Sequence, residues 1–205
     1  MICLRVHATS GHYRVPGQVK QGSTGTSFPI CPVSTMRGFL ESLCGQKSGS
    51  FEGEFAYGWA ERPEGVGDML RKVHVWASGG LGSVGQTTRV IKVDTMFNLS
   101  YVVCVQGPWE ERVRQALQGN VERFGVLYLG ESFDIVTFIQ EVPEPPPEVE
   151  WVVPGTTVLL PVVSGRGYGN LTVKYGLFNV ETGAPHFHVM LPEAMPEPKR
   201  KKKKE

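Results

Sequence analysis

The sequence predicts an α+β fold in which two short helices are set among many strands. Three observations point there. Only two stretches carry the apolar period of a surface helix, whereas several alternate apolar and polar residues or run continuously apolar, as strands do. The 25 glycines and 15 prolines among 205 residues forecast many turns, not a helical bundle. The predicted elements follow the order strand, helix, strand, hairpin, strand, helix, strand, and the length suits one domain with embellishments.

Residues 2–8 (Ile-Cys-Leu-Arg-Val-His-Ala) alternate as a half-buried strand does. Residues 9–28 form a long loop rich in Gly, Ser and Thr, and such loops are usually functional or disordered. A proline-led helix follows. Pro29 and Pro32 keep its approach extended, Ser34 is the expected N-cap, and Met36, Phe39, Leu40 and Leu43 recur at i, i+3, i+4, i+7. Gly45 is placed to close the helix in the left-handed conformation. Two residues do not serve the stripe. Arg37 sits in the first turn, where a cation gains nothing from the helix dipole, so it suggests either an anionic partner or an i, i+4 pair with Glu41. Gly38 costs about 1 kcal/mol against alanine in a helix interior, which suggests close approach to its backbone.

Residues 51–60 alternate again, with Phe51, Phe55, Tyr57 and Trp59 on one face, and residues 61–68 read as a turn. Residues 69–77 and 87–93 are two arms of a hairpin around a glycine-rich tip, Ser78 to Gln86. That tip lacks the Gly-Lys-Ser/Thr ending of a phosphate-binding P-loop. Residues 99–105 are almost continuously apolar and read as a central strand. Gly107-Pro108 opens the second helix, with Glu110 and Glu111 as dipole partners in its first turn; Trp109, Val113, Ala116 and Leu117 make its inner stripe, and Gly119-Asn120 ends it. Residues 124–139 are mixed strand, 143–150 a stiff Pro-rich crossover, and 151–191 short strands with Gly-rich turns. Up to residue 142 this order is the split βαβ, ferredoxin-like βαββαβ arrangement, a common RNA-recognition scaffold.

Net charge is +1, but Lys199 to Glu205 hold six cations and one anion, leaving 15 basic against 19 acidic side chains in the rest of the chain. A nucleic-acid partner must therefore be met by a local basic strip. The four cysteines, Cys3, Cys31, Cys44 and Cys104, have no metal-ligand spacing and sit in apolar contexts, which reads as buried free thiols of a cytoplasmic protein. The N-terminus is too short and polar for a signal peptide, and no stretch reaches the roughly 20 apolar residues of a membrane span.

Two clusters offer chemistry suited to single-stranded RNA. His12, Tyr13, Arg14, Lys20 and Gln21 combine rings for stacking with phosphate-binding cations; the alternative is an exposed polar loop. Arg37 at its helix N-terminus is placed to receive a phosphate. Arg71, Lys72, His74 and Trp76, with Arg89 and Lys92 on the other arm, make the dense basic patch of the body; the alternative is an edge strand protected by charge. His7, His12, Lys72 and His74 contain the groups of a metal-independent ribonuclease, although histidines line many RNA-binding surfaces without cleaving anything. His186 and His188 share a strand face, but two ligands are incomplete for zinc, so no metal or other cofactor is expected.

Four segments resemble a known family. Ala8 to Gly17, with its aromatic-Arg-x-Pro continuation, Phe28 to Leu40, Arg89–Val93 through Tyr101–Val105, and Tyr128 to Ser132 are together similar to the CRISPR-associated Cascade subunit Cas-five, of the RAMP superfamily. The resemblance spans about residues 1–140. It implies a RAMP ferredoxin-like core over 1–142 with a thumb hairpin at 73–89, a crossover and β extension of the same domain over 143–195, and a basic disordered tail over 196–205. It further implies a noncatalytic, cytoplasmic subunit of a type I surveillance complex. That subunit holds the 5′ handle of crRNA, caps a filament of Cas-seven backbone subunits, touches the large subunit of the Cas-eight type, and lies near target DNA at the thumb; no membrane is involved. The family also includes a subtype that cuts repeat RNA, so the rival reading is a CRISPR-repeat endoribonuclease. A third is an RNA-binding protein outside any complex.

Overall fold

The computed structural model describes residues 1–13, 26–76, 86–123, 125–130, 134–167 and 170–191, with backbone alone for 71–76, 86–91, 163–167 and 170–172. The expected loop residues Arg14 and Lys20, the hairpin tip and the basic tail lie outside the described residues.

Among the described residues the architecture is α+β, one mostly antiparallel sheet with two helices. The strands are β1 (Ile2–Gly11), β2 (Gly53–Glu61), β3 (Gly65–Trp76), β4 (Gln86–Gln106), β5 (Val136–Val142), β6 (Glu150–Gly167), β7 (Asn170–Thr182) and β8 (His188–Met190); the helices are α1 (Val33–Leu43) and α2 (Trp109–Leu117). The sheet runs β5-β1-β4-β2-β6-β7, with β3 paired to β4 and β8 paired to β2. All of these pairings are antiparallel.

Alternation along the strands sorts residues onto two faces. Ile2, Leu4, Val6 and Ala8 of β1, Phe55, Tyr57 and Trp59 of β2, and Leu99, Tyr101, Val103 and Val105 of β4 belong to the main core with the stripes of both helices. The expected α1 stripe of Met36, Phe39, Leu40 and Leu43 is fully buried there. Gly45 closes α1 with φ +61, and Gln46 N–H reaches back to the Glu41 carbonyl at 2.8 Å. A Cβ at Gly45 would also stand 2.2 Å from the Glu122 carbonyl oxygen, so glycine is required twice over. Ser34 is not the cap: Pro32 holds that position without a side-chain bond, and its carbonyl accepts from Thr35 and Met36 N–H at 3.0 Å.

Three predicted boundaries are corrected. β3 starts at Gly65, inside the predicted turn. The predicted strands 87–93 and 99–105 are one 21-residue strand, within which Asn98 has φ 54. Residues 151–191 hold a long β6–β7 ribbon whose register shifts at Pro154/Val158 and Pro161/Val163. The Pro and Gly residues there make bulges, not ends; Asn179 Oδ1 accepts from the N–H groups of Thr156 (2.9 Å) and Thr157 (3.2 Å) and so satisfies one of them.

Candidate nucleic-acid interface

Tyr101 on β4 anchors the approach to α1. Its hydroxyl accepts from Cys31 N–H at 3.0 Å and lies 3.2 Å from the Tyr13 hydroxyl, while Tyr57 O–H donates to the Cys31 carbonyl at 2.7 Å. Burial pushes all three phenols well above the ordinary tyrosine pKa. Tyr13 is therefore a core residue, 2% exposed, and the expectation of a surface stacking ring is corrected. His12 is corrected likewise. It is 3% exposed, its Nδ1 lies 2.8 Å from the Asp94 carbonyl, and its N–H donates to Asp134 Oδ2 at 3.1 Å. Asp134, itself fully buried, also accepts from Ser10 Oγ at 2.8 Å, so this network ties the end of β1 to the segment before β5. Nothing in the sequence marks Asp134 as a partner of residues more than 120 positions away.

Arg37 is the largest correction. The residue is 3% exposed, its Nε donates to Glu41 Oε1 at 3.1 Å, and Nη2 donates to the carbonyls of Phe51 (3.2 Å) and Leu191 (3.3 Å). Glu41 in turn accepts from Phe51 N–H at 2.8 Å and Gly49 N–H at 2.9 Å. The i, i+4 alternative is the arrangement found, and it lies in the core, tying α1 to the start of β2 and to the chain after β8. Gly38 lies with open space around the position a Cβ would take.

The basic hairpin is present as backbone. Arg71 pairs with Ile91, Lys72 with Val90, Val73 with Arg89, His74 with Thr88 and Trp76 with Gln86. Lys72, His74 and Trp76 thus occupy alternate positions of β3, and Arg71 falls out of phase with them; the side chains of these residues and of Arg89 lie outside the described ones. Lys92 is exposed and donates to Asp68 Oδ2 at 3.0 Å, a surface ion pair that leaves the ammonium open to solvent.

The cysteine expectation is half corrected. Cys3 and Cys104 face each other across β1 and β4 and form a disulfide, whereas Cys31 and Cys44 are free and buried. Burial raises both free thiols above their ordinary pKa, Cys44 to about 11. The His186 and His188 rings lie 5.6 Å apart. His188 is buried with Nε2 3.0 Å from the Val152 carbonyl, and burial lowers its pKa to about 4. Among the described residues no three His, Cys, Asp or Glu side chains converge as metal ligands. No helix among them is long and apolar enough to cross a membrane.

Sequence reasoning missed the second face of the sheet. Cys3, Ala56, Val102 and Cys104 are covered there by Val149 and Trp151, whose indole N–H donates to the Gly183 carbonyl at 3.0 Å. The same face continues beyond these two residues through Arg5 and His7 to Phe138 on β5, which is 47% exposed. The polar positions of the β1 alternation were its only signal.

No family model and no curated protein matches the sequence. Solved structures do. Over 96% of its length the chain is similar to a chain of a CRISPR RNA-guided surveillance complex, with a TM-score of 0.62, 13% identity and 94% of that chain covered. A Cas protein crystal structure matches 88% of this chain and 93% of its own, with a TM-score of 0.50 and 10% identity. The chain therefore shares its fold, nearly end to end, with components of CRISPR systems.

Proposed function

We propose that this chain is a noncatalytic subunit of a type I CRISPR surveillance complex, a Cas-five-like RAMP protein that binds the 5′ handle of crRNA and caps the Cas-seven filament. The observation that carries the reading is the fold likeness to a surveillance-complex chain over almost the whole of both chains. The strand order β5-β1-β4-β2, with α1 and α2 as crossovers, supports a ferredoxin-like core. The β3–β4 arm, which beyond Val66 and Met96 pairs only with itself among the described residues, supports a thumb along the guide. Because Arg37 and Tyr13 are core residues, the proposed handle contacts reduce to Arg14, Lys20 and the cations of the hairpin. The large Cas-eight-type subunit and target DNA are the further partners, and the cytoplasm the proposed compartment.

The test is charge reversal in the arm. A complex assembled with Arg71→Glu and Lys72→Glu should hold guide RNA more weakly than the wild-type complex, and with a shallower dependence on salt. Unchanged retention of the 5′ handle would refute the assignment of the arm. Incubation of purified protein with repeat RNA tests the rival, since a discrete metal-independent cut abolished by His74→Ala would make the chain an endoribonuclease.

A further inference from the structure

Beyond Val149 and Trp151, the second sheet face holds a small, built site. His7 on β1 lies directly opposite Phe138 on β5 and opposite Ser100 on β4. The His7 and Phe138 rings are 5.6 Å apart and tilted by 58°. Two positions along β1, Arg5 pairs through Nη2 with Glu61. Of the three buried polar side-chain atoms with no hydrogen-bond partner among the described residues, two lie here: Arg5 Nε and the Oγ of Ser100, a residue only 2% exposed. Buried polar atoms are nearly always satisfied, so a pair of orphans beside an exposed ring marks a place for an external partner. Both lie on the sheet face that carries the half-buried Arg5 side chain and its exposed partner Glu61.

The chemistry selects the partner. The Arg5 cation is matched by the Glu61 carboxylate, so the site has no net charge to attract a phosphate. Burial and the neighbouring Arg5 cation lower the pKa of His7, and Glu61 opposes them only in part; this favours a neutral ring, suited to stacking. What remains is an aromatic surface with an N–H donor and a hydroxyl at its edge, the requirements of an unpaired nucleobase. A base pair in a duplex could not reach it, because its faces are already stacked.

We infer that Phe138 and His7 form a stacking platform for one unpaired base of single-stranded RNA, with Arg5 Nε and Ser100 Oγ reading its edge. This rests on the reading of the chain as an RNA-binding subunit and adds to it a subsite on the sheet face, apart from the basic arm. Val149 and Trp151 bound the platform on one side, and on the other β5 is the last strand of the sheet among the described residues.

The experiment measures binding of the full chain to fluorescent oligouridylate, oligoadenylate and a blunt RNA duplex. Phe138 is exposed, so Phe138→Ala should fold normally, which circular dichroism and the melting temperature check. The variant should weaken binding of single strands roughly 5- to 150-fold, the range for one stacked base, and leave the duplex unchanged; Phe138→Trp should restore affinity. Ultraviolet crosslinking should join the bound strand to the β5 peptide. Single-strand affinity within twofold of wild type in Phe138→Ala, while Arg71→Glu with Lys72→Glu weakens it, would overturn the platform and leave the RNA-binding reading standing. No binding of any RNA by the wild-type chain would overturn both. Loss of subunit assembly with RNA affinity intact would make the patch a protein-docking surface and refute the inference.

Discussion

Replacing Arg37 with methionine keeps much of the buried aliphatic stem and removes the guanidinium. Glu41, whose side chain is 2% exposed, then sits in the core without its cation. Removing one partner of a buried ion pair costs about 3–5 kcal/mol. Here the lower end applies, because Gly49 and Phe51 N–H still bind the carboxylate. The carbonyls of Phe51 and Leu191 also lose a donor. The expected loss is therefore about 3 kcal/mol, a large share of the roughly 5–15 kcal/mol typical of a folded domain. Urea titration followed by the fluorescence of the four tryptophans measures it. Adding Glu41→Gln removes the stranded charge, so the double variant should be more stable than Arg37→Met alone. A midpoint unchanged in Arg37→Met, together with weaker RNA binding, would refute the buried-pair reasoning and return Arg37 to the role of a phosphate receptor.

Three further outcomes are expected. Gly38→Ala meets nothing in the fold and should raise stability by about 1 kcal/mol in the same titration; a loss of stability would contradict the open surroundings of that position. His188 is neutral in both folded and unfolded chains above pH 6.5, but as the pH falls from 6.5 towards 4 the unfolded chain takes up a proton that the fold excludes. Stability should therefore fall over that window by about 3 kcal/mol more in wild type than in His188→Gln, and equal pH slopes would be contrary to a buried neutral ring. Thiol titration under denaturing, non-reducing conditions should count two free cysteines, Cys31 and Cys44; a count of four would contradict the Cys3–Cys104 bridge.

Much of the fold was legible because the signals are local. The α1 stripe, the alternation of β1 and β2, and the left-handed Gly45 are each set by residues within one or two turns of chain. The candidate site was less legible, because burial depends on partners far away in sequence. Arg37 and Glu41 pair in the same way on a surface or in a core, and only the carbonyl of Leu191, 154 residues on, settles which. Tyr13 reads as an exposed ring until Tyr101 meets it from 88 positions away. Cys3 and Cys104 become partners through the β1–β4 register, which neither local sequence encodes. Residues 151–191 read as short strands with Gly-rich turns, yet bulges at Pro154 and Pro161 carry one long ribbon through. The stacking platform needs three strands to assemble, and His7, Ser100 and Phe138 carry no common motif.

The most direct measurement is purification of the tagged chain from its native cells, with sequencing of the RNA and identification of the proteins retained. A handle-binding subunit should retain guide RNAs sharing one constant 5′ sequence, together with a repeated backbone subunit and one large subunit, and ultraviolet light should crosslink that 5′ sequence to this chain. RNA of random sequence, or a guide whose 5′ end crosslinks only to other subunits, would contradict that role.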